Sequence, residues 1–305
     1  MITTLRYTFV SVLFFQIGFC QSKLNTFLKP SDTIQVQRQK TVLISEAVVA
    51  TGTLLALNQL WYANYPKTDF HFVNDNAEWL QMDKVGHVFS SYQLGSFSAQ
   101  MLNWSGASKK NELLYGSGLG FAFLTAVEVM DGYSSEWGAS VGDVIANAAG
   151  TGLYVSQELL WDEQRILPKF SFHTSPYAQY RPAVLGKSLS EQIIKDYNGQ
   201  TYWLSINLHS FAKNSKIPKW LNLALGYGAE GMITGNGTTR RTPDVIFNPQ
   251  RYRQVYFSLD VDLTKIKTKS HFLKTIFSVL NTVKIPAPTI EFSHLNGIKY
   301  HLIYF

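Results

Sequence analysis

A handful of polar residues in this chain recur at spacings that bring chemistry together. Asp83-Lys84-x-x-His87 supplies an acid, a cation and an imidazole within five positions. Asp83 and His87 are four apart, as are Asp143 and Asn147, so each pair falls on one helix face. Glu128 and Asp131 are three apart and share a face or flank a helix end. An imidazole beside a carboxylate is a workable general base, because the carboxylate fixes its tautomer and raises its pKa. In that chemistry His87 is the base, Glu128 and Asp143 orient it or hold a metal, and Lys84 stabilises an anion. Asp83, Asp131, Ser140 and Asn147 complete the cluster as ligand or cofactor contacts.

One histidine with two carboxylates is also a metal-ligand set, though no His-Glu-x-x-His helix accompanies it. The residues identify neither a metal nor a cofactor. The competing reading is structural. Polar groups in an apolar setting cost several kcal/mol unless paired, and a paired network fixes the register of packed helices. Both readings stay open, and so does whether the protein is an enzyme. The other histidines (His71, His173, His209, His271, His294 and His301) stand alone and read as surface or core residues.

Helices must position these residues. Four apolar runs are expected: Thr41 to Trp61, Met82 to Leu102, Asn111 to Met130 and Ala139 to Trp161. The first has about the length of a bilayer crossing and is rich in Ala, Gly and Thr. Gly116, Gly118 and Gly120 alternate inside the third. They lack a preceding strand and a basic phosphate ligand, so close helix packing is expected rather than a nucleotide loop. Pro168 ends the helical part.

Beyond it, strands are expected over Thr201 to Phe211, Leu221 to Met232, Arg253 to Leu263, Thr289 to Ser293 and Ile298 to Phe305, with a helix over Ser270 to Val283. These strands fall short of the eight or so that a membrane barrel needs. The fold class is therefore α-rich: a bundle of about four apolar helices followed by a smaller mixed, β-rich tail.

Composition bounds the setting. Charged residues make up 16% of the 305, below the usual quarter for soluble domains, and apolar residues 46%. Mean hydropathy is near zero, which excludes a transporter that is apolar throughout. The net charge of +6 is uneven: residues 163–305 carry 18 Lys and Arg against 8 Asp and Glu. A basic tail with Arg240, Arg241, Arg251 and Arg253 can attract a polyanion. No nucleic-acid motif is present, so specific nucleic-acid binding is not expected. Membrane lipid is the expected partner.

Arg6, the apolar run from Tyr7 to Phe19 and the small residues Gly18 and Cys20 read as a secretory signal cut at Gln21. Phe19 directly before Cys20 disfavours lipidation there. Cys20 is the only cysteine, which excludes an intramolecular disulfide and a cysteine zinc site. The expected organisation is a signal peptide at 1–20, a linker at 21–40, a helical domain at 41–165 and a basic, mixed tail domain at 166–305.

Asp83-Lys84-x-x-His87, Glu128 and Asp143-x-x-x-Asn147-x-x-Gly150 together resemble VanZ-like membrane proteins. With Ser91-Tyr92, Asp131-Gly132 and Ser140 added, the set is similar to the YfiM-like family of predicted periplasmic lipoproteins. Asp196-Tyr197-Asn198-Gly199 and Pro286-Ala287-Pro288 resemble the longer form seen in Bacteroidetes-type bacteria. The resemblance covers roughly residues 41–161 and implies a helical fold in the cell envelope, with no reaction attached. The expectation is a membrane-associated envelope protein with periplasmic exposure, whose cluster is structural or ligand-binding. The alternative is a membrane-embedded hydrolase or transferase acting on a lipid or cell-wall precursor.

Overall fold

The computed structural model describes residues 23–63, 65–237, 240–242, 245–247 and 249–305, with only the backbone described at 240–242 and 245–247. The expected signal peptide, Cys20 included, lies outside the described residues. Helix α1 (Val36–Leu57) starts inside the stretch expected as a linker and runs into a π-helical turn at Asn58–Tyr62. Helix α2 (Met82–Trp104) follows, then α3 (Ser117–Gly132), entered through a second π turn at Glu112–Gly116, and α4 (Val141–Trp161). Ser140 caps α4, its Oγ accepting from the Asp143 amide at 3.3 Å.

Small residues let α2, α3 and α4 meet at backbone distance. A Cβ on Gly120 would lie 2.1 Å from the Ser91 carbonyl oxygen, and one on Gly116 2.6 Å from Ala99 Cα. Gly95 lies as closely against Ser117, and Gly150 against Val88. Helix α2 therefore packs against both α3 and α4, which also meet each other. Gly118 meets nothing within 4 Å, so only two of the three alternating glycines serve packing. Helix α1 joins α2 through Ser98, which donates to Glu46 Oε1 at 2.6 Å. Val42 is its only buried residue, and Ile44, Val48, Val49 and Leu55 project outward. Two described helical runs, Val36–Tyr62 and Lys109–Gly132, are long and apolar enough to cross a membrane.

Two short parallel strands, β1 (Phe72–Val73) and β2 (Ala139–Ser140), tie the loop before α2 to the start of α4. The tail forms β3 (Ile166–Phe172), β4 (Gln200–Asn207), β5 (Leu221–Glu230), a hairpin of β6 (Arg240–Thr242) and β7 (Val245–Phe247), β8 (Tyr252–Val261), β9 (Ala287–Ser293) and β10 (Gly297–Tyr304). Six of them make one antiparallel sheet in the order β10-β9-β8-β5-β4-β3. A helix, α5 (His271–Leu280), lies between β8 and β9.

Strand β3 was not expected. Pro168 fits because β3 is at the edge of the sheet, where a missing amide costs no ladder bond to a second strand. The run expected as strand to Phe211 instead ends at Asn207, whose Oδ1 caps a short helix by accepting from the Ser210 amide. The coarse expectation of a helical first half and a β-rich tail is met.

The sheet has its polarity largely reversed. Around a small cluster of Trp203, Ala224 and Tyr256, its inner face buries Lys169, Ser171, Thr201, Ser205, Asn207, Asn222, Ser258, Asp260 and Thr289, whereas Leu204, Leu225, Val255, Phe257, Leu259 and Phe292 are exposed and Leu302 is 90% exposed. Strand β8 shows it most simply, with buried and exposed residues alternating from Tyr252 to Asp260. Lys169 pairs with Asp260 at 2.8 Å, both fully buried, and donates to Asn281 Oδ1 and the Val261 carbonyl. Asp260 also accepts from Ser205 and from the Ile285 amide. A buried ion pair is tolerable when its remaining groups are bonded in this way.

Candidate functional site

The first turns of α2, the last turn of α3 and the first turns of α4 meet at one end of the helices. Asp83, Lys84 and His87 come from α2, Glu128 from α3, and Asp143 and Asn147 from α4. Three consecutive residues before α2, Trp79, Leu80 and Gln81, have φ of 47°, 50° and 65°. The left-handed region costs an ordinary residue roughly 1–2 kcal/mol, so the surroundings must hold this turn. They do: the Trp79 amide donates to the Gly235 carbonyl at 2.8 Å, Tyr227 Oη to the Leu80 carbonyl at 2.5 Å, and Arg253 to Gln81 Oε1 at 2.6 Å. Met82, fully buried against Ala229 and Met232, then sets the start of α2. The tail thus fixes where Asp83 and Lys84 point.

Lys84 Nζ reaches Asp143 Oδ2 at 2.8 Å, Asp75 Oδ1 at 2.8 Å and Asp83 Oδ2 at 3.2 Å. Its approach needs Gly142, since a Cβ there would fall 2.0 Å from Asn76 Oδ1 and 3.2 Å from Lys84 Cε. His87 Nδ1 lies 2.9 Å from Asn147 Oδ1, an acceptor, so Nδ1 carries the proton. His87 Nε2 faces Asp83 Oδ1 at 3.8 Å, Glu128 Oε1 at 3.7 Å and Asp143 Oδ1 at 3.7 Å. The Ser140 amide donates to Glu128 Oε2 at 3.0 Å, and Ser140 Oγ donates to Asp75 Oδ1 at 2.6 Å.

Charges shift one another strongly here. Burial works against the His87 cation, but Asp83, Asp143 and Glu128 outweigh it and raise its pKa. Burial likewise opposes the Lys84 charge and is overcome by the carboxylates around it, which raise its pKa. Burial pushes the Asp143 carboxyl up to about 6, with Asp83 adding to the rise and His87 and Lys84 resisting it. Asp83 moves the other way: burial is outweighed by His87, Lys84 and the Tyr197 hydroxyl, which lower its pKa.

Asp83, Lys84, His87, Glu128, Ser140, Asp143 and Asn147 therefore share one centre. Asp131 sits to one side and accepts from Tyr62 Oη at 2.7 Å. Sequence reasoning missed three participants. Tyr197 donates to Asp83 Oδ1 at 2.5 Å from the tail. Asp75 bridges Lys84 and Ser140, and Tyr62 holds Asp131. Asp75 in Asn74-Asp75-Asn76 and Tyr197 in Asp196-Tyr197-Asn198-Gly199 were visible as loop residues, but no spacing rule links a loop to a helix over such distances.

A cavity of about 290 Å³ lies elsewhere, between α2, α4 and the tail, lined by Tyr92, Gln100, Tyr154 and Glu163 among others. Of the arginines expected to attract a polyanion, Arg251 donates to the Gly235 carbonyl and Arg253 to Gln81 and Tyr227. The side chains of Arg240 and Arg241 lie outside the described residues.

Residues 70–157 match the family described as predicted periplasmic lipoprotein (DUF2279). The matched segment holds every helix residue of the centre, together with Asp75, Asp131 and Ser140, but neither Tyr62 nor Tyr197. It covers less than a third of the chain. No curated protein and no solved structure matches the chain.

Proposed function

We propose that the chain is a membrane-associated cell-envelope protein whose polar centre binds a ligand and does more than brace its helices. The observation that carries the membrane part is the reversed sheet. In water an antiparallel sheet buries its apolar face; apolar outside and polar inside is the pattern that closed membrane barrels turn to lipid, and this open sheet shares the pattern without the closure, which suits contact with a bilayer surface. Burying one Leu or Phe side chain is worth roughly 1.5–3 kcal/mol, and the outer face of this sheet forgoes that gain many times over unless lipid covers it. Helix α1 presents a second uncovered apolar surface.

Charge agrees. The loops after β4 and β8 lie at the same end of the sheet, because Asn207, Asn222 and Asp260 are register partners. Exposed Lys213, Lys216, Lys219, Lys267 and Lys269 gather there with exposed Trp220 and Phe211. Lysines and aromatic rings at the edge of an apolar belt suit the headgroup region of an anionic bilayer. The family match at 70–157 and the motif resemblance to YfiM-like and VanZ-like proteins support the same envelope location. In this reading residues 41–165 form a four-helix membrane-associated domain and residues 166–305 a basic tail domain.

Attachment rests on these surfaces, so a lipid on Cys20 is not required. Fractionation of expressing cells tests this. The chain is expected in the membrane pellet after high-salt and alkaline carbonate washes, and Cys20→Ala is expected to stay there. Release of the wild-type chain by carbonate would contradict the reading.

A further inference from the structure

The centre has an excess of acceptors aimed at one point. The three distances from His87 Nε2 to carboxylate oxygens, 3.7–3.8 Å, are too long for hydrogen bonds, which fall near 2.7–3.2 Å. Asp143 is 3% exposed, and its Oδ1 has no hydrogen-bond partner. A buried carboxylate oxygen left bare costs about 1–3 kcal/mol or more. The other oxygens are tied back: Asp83 Oδ2 and Asp143 Oδ2 to Lys84, and Glu128 Oε2 to the Ser140 amide. Glu128 and Asp143 are thus each gripped by one oxygen and turn the other toward His87 Nε2, and Asp83 turns Oδ1 the same way while accepting there from Tyr197; an ion would take the place of a proton on Nε2, with Nδ1 still donating to Asn147.

Ligand atoms of Asp83, His87 and Asp143 all lie within 4.8 Å of one another. An ion with four tetrahedral ligands at about 2.1 Å sets those atoms about 3.4 Å apart. The spacings from His87 are a few tenths of an ångström wider; Glu128 Oε1, 3.7 Å from Nε2, stands outside that trio and joins the shell by moving inward. A histidine whose second nitrogen is held by a polar partner, beside carboxylates that are themselves hydrogen-bonded, is the usual support of a metal ligand set.

We propose that His87 Nε2 and one carboxylate oxygen each from Asp83, Glu128 and Asp143 bind a single divalent transition-metal ion. The proposal rests on the reading that the centre holds a ligand. One imidazole with three carboxylates suits Zn²⁺ or Mn²⁺ better than Ca²⁺, which takes six to eight oxygens. Asn147, Lys84 and Tyr197 are positioning residues. Asn147 fixes the imidazole tautomer, Lys84 steadies two of the carboxylates, and Tyr197 brings the tail onto Asp83.

The test uses the full chain in detergent, stripped with a chelator and incubated with Zn²⁺ or Mn²⁺ before gel filtration. One ion per chain and a raised melting temperature are expected. His87→Ala and Asp143→Asn should bind at least tenfold more weakly. Glu128→Gln, nearly isosteric, should do the same while keeping its far-ultraviolet circular dichroism and a cooperative melt. A wild-type chain that retains no ion, or variants that retain it equally well, would overturn the proposal.

The metal-free melts separate this from failure of the ligand reading. If the centre is a ligand site, Glu128→Gln relieves carboxylate crowding and raises the metal-free melting temperature. A fall instead returns the centre to bracing the helices and overturns both. A rise with no ion bound overturns the metal alone.

Discussion

Lys284 is fully buried, and among the described residues no carboxylate lies within ion-pair distance of it. Its ammonium donates to the Ile285 carbonyl at 2.8 Å and sits 4.7 Å from the centre of the Trp203 ring. Burial pulls its pKa from 10.5 down to about 8, with Asp260 opposing the fall. The folded state therefore holds this proton less tightly than the unfolded chain. Below pH 8 both states are protonated and the folded state bears the cost of a buried cation. As pH rises from 8 toward 10 the folded state sheds the proton first, and stability increases by roughly 2–3 kcal/mol. Lys284→Met should melt higher than wild type at pH 7, and the gap should narrow by pH 10. A gap that is constant with pH would contradict this account. At the same scale, the spacing of Asp83 with His87 and of Asp143 with Asn147 was legible because a helix repeats every 3.6 residues. Tyr197 and Asp75 were not, because their place depends on loops laid down by strand pairing far along the chain.

At the scale of elements, the joints between α2, α3 and α4 are made of absences of side chain. Gly120→Ala places a methyl on the Ser91 carbonyl and must push α3 off α2, with a cost of several kcal/mol expected from overpacking. Gly118→Ala, two residues away, meets open space and gains about 1 kcal/mol of helix propensity. Thermal unfolding of the two variants should move in opposite directions; equal shifts would mean that α3 does not pack through Gly120. The four apolar runs were readable from length and composition, since each holds enough apolar residues without a proline. That α1 stays uncovered was not readable, because a lipid-facing helix and a core helix share that composition. Strand β3 escaped because Pro168 argues against a strand everywhere except at an edge, and edges are decided by the order of the finished sheet.

At the scale of the molecule, the two halves are interdependent. The β-rich tail holds the left-handed turn at Trp79–Gln81 and sends Tyr197 to Asp83, so the helices carry the polar centre and the tail completes it. The reversed sheet is the surface by which the proposed reading sets that tail against lipid. Its alternation was visible in the sequence as strands, but alternation alone does not say which face is inside; the burial of Lys169 and Asp260 decides that. Leu225 stands in the outer face, its register partners Leu204 and Phe257 on either side. Because Cys20 is the only cysteine, Leu225→Cys in a Cys20→Ala background carries a single environment-sensitive fluorophore. In vesicles made with anionic lipid, the label should emit to the blue and be quenched by bromines on the acyl chains. A label quenched by aqueous iodide and indifferent to brominated lipid would contradict the claim that this face meets the membrane.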